Sequence, residues 1–132
     1  RIGCFLAGCC YGIPYVGTGA VVFPKESFAP SGISLFPVQL VEAAGLFGIS
    51  VLLFVLLLCL DFPYTMQLYL FLYGILRFVL EQFRGDSERG SFAGISTSRW
   101  IAMGMILLSL LWTVFAIRAT NRKKSDKIVD VR

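Results

Sequence analysis

Charged positions divide this chain into long uncharged runs. Between Glu42 and Asp61 stand eighteen uncharged residues, AAGLFGISVLLFVLLLCL, and between Arg99 and Arg118 another eighteen, WIAMGMILLSLLWTVFAI. At about 1.5 Å of rise per residue, each predicts an apolar helix long enough to cross the hydrocarbon of a bilayer. A third run, FPYTMQLYLFLYGILRFVL from Phe62 to Leu80, is as apolar but contains Arg77. Pro63 marks where it starts and Gly85 where it stops, so a helix is expected over 64–84. Before Glu42 the pattern changes: Gly3, Gly8, Gly12, Gly17 and Gly19 are too closely spaced for an ordinary spanning helix. They predict a short helix that breaks near Tyr11–Pro14 and packs tightly, with irregular backbone buried in protein or lining a cavity.

Composition settles the class. Apolar residues make up 57% of the 132, charged ones 15%, and mean hydropathy is +0.78, beyond what a water-soluble domain carries. The expected fold is an all-α integral membrane protein, with about three transmembrane helices preceded by a Gly-rich broken helix, as part of a larger helical bundle. A start without Met, inside a dense motif, points to a C-terminal portion of a longer chain. The expected divisions are a Gly/Cys-rich segment and outer loop over 1–35 and spans over 36–60, 61–84 and 99–118. An outer loop over 85–98 and a basic tail over 119–132 complete them.

Charge asymmetry orients these spans. Arg118, Arg122, Lys123, Lys124 and Lys127 follow the last one closely, whereas the loop after the first carries Asp61 alone, so the tail is expected to be cytoplasmic. The same residues suit anionic lipid better than nucleic acid. Counting back places the opening segment and the residues after Arg77 together on the outer side. Tyr73, Arg77, Glu81 and Arg84 then fall on one helical stripe. An Arg77–Glu81 pair could neutralise itself and snorkel to the interface. A second cation on the stripe instead leaves an excess of positive charge at headgroup depth, and a guanidinium's donors match phosphate. Cys4, Cys9 and Cys10 read first as small packing residues, with a disulfide or reactive thiol as alternatives. No metal is expected, because C-x4-C-C matches no usual paired-ligand spacing and the chain has no His.

Four motifs in order resemble one family. RIGCFLAGCCYGIP resembles the signature of the prolipoprotein diacylglyceryl transferases, a Gly-Arg pair followed by Asn-Phe, a second Asn, an acid and a Gly before a turn. FPVQLVEA resembles the family's His-Pro-Ser-Gln-Leu-Tyr-Glu segment, YGILRFVLEQFRGD its Tyr-Gly-x-x-Arg-Phe-x-x-Glu-x-x-Arg helix, and GISTSRW the serine-containing segment opening the last span. The resemblance implies a multi-pass protein of the bacterial cytoplasmic membrane, with its site toward the outer face. It would transfer the diacylglyceryl group of phosphatidylglycerol to the lipobox cysteine thiol of prolipoproteins, using no cofactor. Partners would be phosphatidylglycerol, prolipoprotein signal peptides and membrane lipids, and not nucleic acid. Arg1 and Arg77 match the arginines that would hold the lipid phosphate and stabilise departing charge, Arg77 and Glu81 forming the catalytic pair. Arg84 would add to the field, and Gln39, Glu42 and Gly12 match binding or positioning positions. Where the family pattern has Asn, Asn and an acid, this chain has Cys4, Ala7 and Cys9. Phe36, Val38 and Val41 likewise stand where it has His, Ser and Tyr. These departures keep open a non-catalytic paralogue that binds anionic phospholipid.

Overall fold

A computed structural model describes residues 1–85, 91–92 and 95–130, with 91, 92, 95 and 123–130 described by their backbone alone. The chain is mostly helical. Helix α1 (Ile2–Ala7) is a turn and a half long, and it ends where Gly8 takes a left-handed φ of 74° and returns its N–H to the Phe5 carbonyl. The break therefore falls at Gly8 and not at Tyr11–Pro14, because a glycine reaches that conformation without the steric penalty other residues meet. Two short strands follow, β1 (Val21–Val22) and β2 (Ser34–Leu35), paired antiparallel. Phe23, Ala29 and Leu35 form a small buried core, with Phe5, Tyr11 and Val21 packed on it.

Helix α2 (Val38–Leu60) starts two residues later than the expected 36, after Pro37. It stops at Asp61, which adopts a left-handed φ of 45°. Helix α3 (Thr65–Leu80) is shorter than the expected 64–84. Residues Glu81–Phe83 tighten into a 3-10 turn and Arg84 is extended, at φ −85° and ψ 136°. The reason is tertiary: Arg84 bridges to Gly12, and Gly85 N–H donates to the Tyr11 carbonyl at 3.0 Å, so their backbone joins an edge and leaves the helix. Strands β3 (Ser91–Phe92) and β4 (Ile95–Ser96) pair before helix α4 (Thr97–Asp130). Of the expected loop over 85–98, residues 86–90 and 93–94 lie outside the described residues. The expected tail from 119 is a continuation of α4 through Asp130, since nothing between Arg118 and Asp130 is Gly or Pro.

Helix α3 lies between α2 and α4. Its Gly74 lets α4 approach: a Cβ there would stand 2.8 Å from Ile106 Cγ1 and 3.1 Å from the Ala102 carbonyl oxygen. On the same seam the buried Ser109 hydroxyl donates to the Gln67 carbonyl at 2.8 Å. Gly74→Val is expected to cost about 2 kcal/mol through overpacking, read as a lowered thermal midpoint in detergent. An unchanged midpoint would show that the seam has slack. Among the described residues two helices, Val38–Leu60 and Thr97–Arg122, are long and apolar enough to cross a membrane. Phe47, Phe54, Leu58, Leu107 and Phe115 stand exposed on them, a surface that calls for an apolar surrounding.

Candidate functional site

A backbone clamp brings the polar residues together. The segment 12–15 is gripped on both sides. On one, Ile13 N–H donates to the Phe83 carbonyl at 2.9 Å; on the other, Tyr15 N–H donates to Ser34 and Phe36 N–H to Ile13, at 2.9 and 3.0 Å. The clamp thus ties the end of α1, the start of α2 and the end of α3 into one knot. Gly12 sits at its tightest point, where a Cβ would collide with the Phe36 carbonyl oxygen. The Phe36 ring adds packing to the Tyr15 and Phe83 rings, each with centroids 5.5 Å away.

Glu42 is the centre of the site. It is one turn into α2 and 2% exposed. Arg77 Nη1 donates to both of its carboxylate oxygens, at 3.1 and 3.3 Å, and Arg1 Nε lies 3.0 Å from Oε2. One carboxylate therefore holds two guanidiniums that lie far apart in the sequence. Arg77 Nε also donates to Ser98 Oγ at 3.0 Å, so the first turn of α4 helps fix the fork. Glu81, in the 3-10 turn that follows α3, is 3.9 Å from Nη2, an ion pair longer than a hydrogen bond. The carboxylate that orients Arg77 is thus Glu42, with Glu81 secondary, although Glu81 has the favourable i,i+4 spacing.

Arg84 is not on the α3 stripe, because the helix has ended before it. The bridge to Gly12 nevertheless brings it within electrostatic reach of Arg1. Burial disfavours the charged Arg1 guanidinium and Arg84 repels it, but the Glu42 carboxylate and the Cys10 sulfur outweigh both and raise its pKa. Among the described residues of this cluster, three arginines, Arg1, Arg77 and Arg84, gather around the carboxylates of Glu42 and Glu81, an arrangement suited to an anion. Gln39, 1% exposed and three residues before Glu42, donates from Nε2 to the Cys9 carbonyl at 3.0 Å. Gln39 Oε1 and Glu81 Oε2 are buried without a hydrogen-bond partner among the described residues, two acceptors open to an incoming donor.

The structure brings together Arg1, Gly12, Gln39, Glu42, Arg77, Glu81 and Arg84. Sequence reasoning passed over Ser98 as a partner of Arg77, and the serine segment that opens α4 was the available signal. It also passed over how closely the three thiols gather: Cys4, Cys9 and Cys10 have their sulfur atoms within 4.8 Å of one another. Cys9 Sγ donates to the Cys4 carbonyl at 3.7 Å, and burial, followed by the neighbouring Cys4 and Cys10 thiols, pushes its pKa up. A separate cleft of about 210 Å³ between α3 and α4, lined by Phe62, Gln67, Phe71 and Ser109, lies near the start of α3, away from this charge cluster.

Residues 1–115 match the family described as prolipoprotein diacylglyceryl transferase. The phosphatidylglycerol--prolipoprotein diacylglyceryl transferase 2 of Clostridium perfringens is 37% identical over 114 residues, 84% of this chain and 43% of that protein. The phosphatidylglycerol--prolipoprotein diacylglyceryl transferase of Clostridium tetani is 37% identical over 113 residues, 83% of this chain and 44% of that protein. One of the same name from Dehalococcoides mccartyi (strain CBDB1) is 31% identical over 134 residues, 97% of this chain and 48% of that protein. The chain thus spans a little under half the length of these curated relatives. No solved structure matches it.

Proposed function

Since the chain belongs to the prolipoprotein diacylglyceryl transferase family, we propose that it forms the lipid-phosphate site of such a transferase. The reaction is transfer of the diacylglyceryl group of phosphatidylglycerol to the lipobox cysteine thiol of a prolipoprotein. The observation that carries this reading is the pair of guanidiniums held on the buried Glu42, with Arg84 nearby as a third cation. Arg1 and Arg77 face the lipid phosphate, and Arg84 adds to the field. Glu42 and Ser98 fix the forks in advance, so that charge building on the departing glycerol phosphate meets donors already in place. Gln39 Oε1 and Glu81 Oε2 accept from headgroup hydroxyls. The thiol's proton goes to a base outside these residues, which contain no His.

In this reading α3 also crosses the membrane. Its sixteen residues rise about 24 Å, and the following 3-10 turn brings the element to about 30 Å, the thickness of a hydrocarbon core. Arg77 then lies near one interface, on the outer side of the bacterial cytoplasmic membrane, with the basic end of α4 in the cytoplasm. The three helices join others in a larger bundle, which covers the exposed apolar faces together with lipid. The signal peptide of the prolipoprotein brings the acceptor thiol to the same face.

The test is transfer of labelled diacylglyceryl from phosphatidylglycerol to a lipobox peptide by the full-length protein, wild type beside Arg77→Ala. Loss of a single preorganised donor group lowers such rates by about 100-fold to 1000-fold, and the variant is expected in that range. No thioether from the wild type, with binding of anionic lipid that still depends on Arg77, would replace the transferase reading by that of a lipid-binding paralogue. Cys4, Ala7 and Cys9, where the family pattern has polar residues, are what favour that second reading.

A further inference from the structure

We propose that Cys4, Cys9 and Cys10 form a three-thiolate site for zinc, with the fourth ligand position open to an external thiol. In sequence the spacing C-x4-C-C argues against this, because it matches no usual paired-ligand pattern and the chain has no His to assist. Two left-handed residues change that. Gly8, at φ 74°, ends α1 and turns the chain back over its last turn, and Cys10, at φ 57°, bends the next step as well. The three sulfur atoms come within 4.8 Å of one another. Around a zinc ion with bonds of about 2.3 Å, thiolate sulfurs stand about 3.8 Å apart, so side-chain torsions need to close the trio by at most about 1 Å.

Chemistry and position both favour this ion. The donor set is all sulfur, which selects thiophilic d10 metals over magnesium or calcium. Three thiolates around Zn²⁺ carry a net charge of −1, and they would lie within electrostatic reach of the Arg1 guanidinium, whose positive charge favours them. The two clusters adjoin: the Cys10 sulfur acts electrostatically on Arg1, and Gln39, three residues before Glu42, donates to the Cys9 carbonyl at 3.0 Å. Cys59 takes no part, since it lies exposed near the far end of α2.

Three protein ligands leave zinc one exchangeable position. A thiol that takes it gives up its proton to water and is held as a thiolate, the form in which sulfur is nucleophilic. This half of the proposal rests on the transferase reading, in which a cysteine thiol must be delivered beside the lipid phosphate. Here the metal would present it next to Arg1, and the chain would replace polar family positions by a different means of activating sulfur.

The experiment begins with zinc content. Full-length protein in detergent, incubated with Zn²⁺ and washed on a desalting column, is expected to retain about one zinc per chain, and the Cys4→Ser, Cys9→Ser and Cys10→Ser triple variant at least tenfold less. Cys59→Ser is expected to retain as much as wild type. Cys4→His, which returns a nitrogen ligand, is expected to hold zinc where Cys4→Ser does not, and this separates loss of a ligand from loss of fold. Equal zinc in the triple variant, zinc absent from wild type, or a disulfide within the trio of the purified protein would overturn the site. Cobalt then reports the open position: a lipobox peptide should alter the visible Co²⁺ bands, and its Cys→Ser version should not. Bands indifferent to both peptides would overturn the open-position claim. Zinc bound by all these criteria with no transfer to the peptide would count against the transferase reading alone.

Discussion

Glu42→Ala is expected to lower the stability of the protein by about 3–5 kcal/mol, the cost of stripping a buried ion pair of one partner. The estimate is at the upper end because one carboxylate serves two cations, Arg77 at 3.1 Å and Arg1 at 3.0 Å. Both guanidiniums would be left facing each other, with Arg84 as a third like charge. Against a typical margin of about 5–15 kcal/mol this is a large share, and at the low end of that range it would unfold a substantial fraction of the protein. Thermal unfolding in detergent reads the effect directly. Glu42→Gln keeps the shape and some hydrogen bonding but not the charge, and should fall between wild type and Ala. Anionic lipid should restore part of the lost midpoint in the Ala variant, since a phosphate can bind the orphaned cations in the folded state. A midpoint for Glu42→Ala within a few degrees of wild type would mean that the two arginines find other partners.

Gly12→Ala is the second large effect, and it acts through the backbone. The added Cβ would strike the Phe36 carbonyl oxygen and approach both Phe36 Cβ and the Phe83 carbonyl oxygen at 3.0 Å. The segment cannot move aside, because it is hydrogen-bonded to Phe83 on one flank and to Ser34 and Phe36 on the other. Overpacking of this kind costs about 1–3 kcal/mol, and a clamp held from two directions should lie near the top of that range. Hydrogen exchange offers a local readout. Amides of Ile13, Tyr15, Phe36 and Gly85 should exchange faster in the variant, while those in the middle of α2 keep their protection. Uniform protection across both sets would contradict the clamp.

How much of this was legible in the sequence depends on whether the cause was local. Helices α2 and α4 follow from uncharged runs bracketed by Glu42, Asp61 and Arg99, since composition over eighteen residues needs no tertiary knowledge. The sequence places the end of α3 too late because Gly85 looks like a stop signal, whereas the pairing of Arg84 with Gly12 draws the backbone out of the α-helix after Leu80, four residues sooner. For the same reason Arg84 reaches the site from the clamp and not from a helical stripe. Glu81 looked like the partner of Arg77 because four residues separate them. The stronger partner, Glu42, is thirty-five residues away, and only the fold brings it to 3.1 Å. The gathering of Cys4, Cys9 and Cys10 was hidden in another way: it depends on a left-handed cysteine, a conformation that residue identity does not announce.

Gln39 and Glu42 sit three residues apart on α2, and together they grip the Cys9 carbonyl, Arg1 and Arg77. A side-chain tip on such a helix stands about 6 Å from the axis, so rolling α2 by about 20° about its length would swing the Glu42 carboxylate by about 2 Å. Both ion pairs would then be too long to hold at once. The exposed apolar flank of α2 therefore works as a handle on the site: whatever rolls the helix by that flank parts the charges at its head.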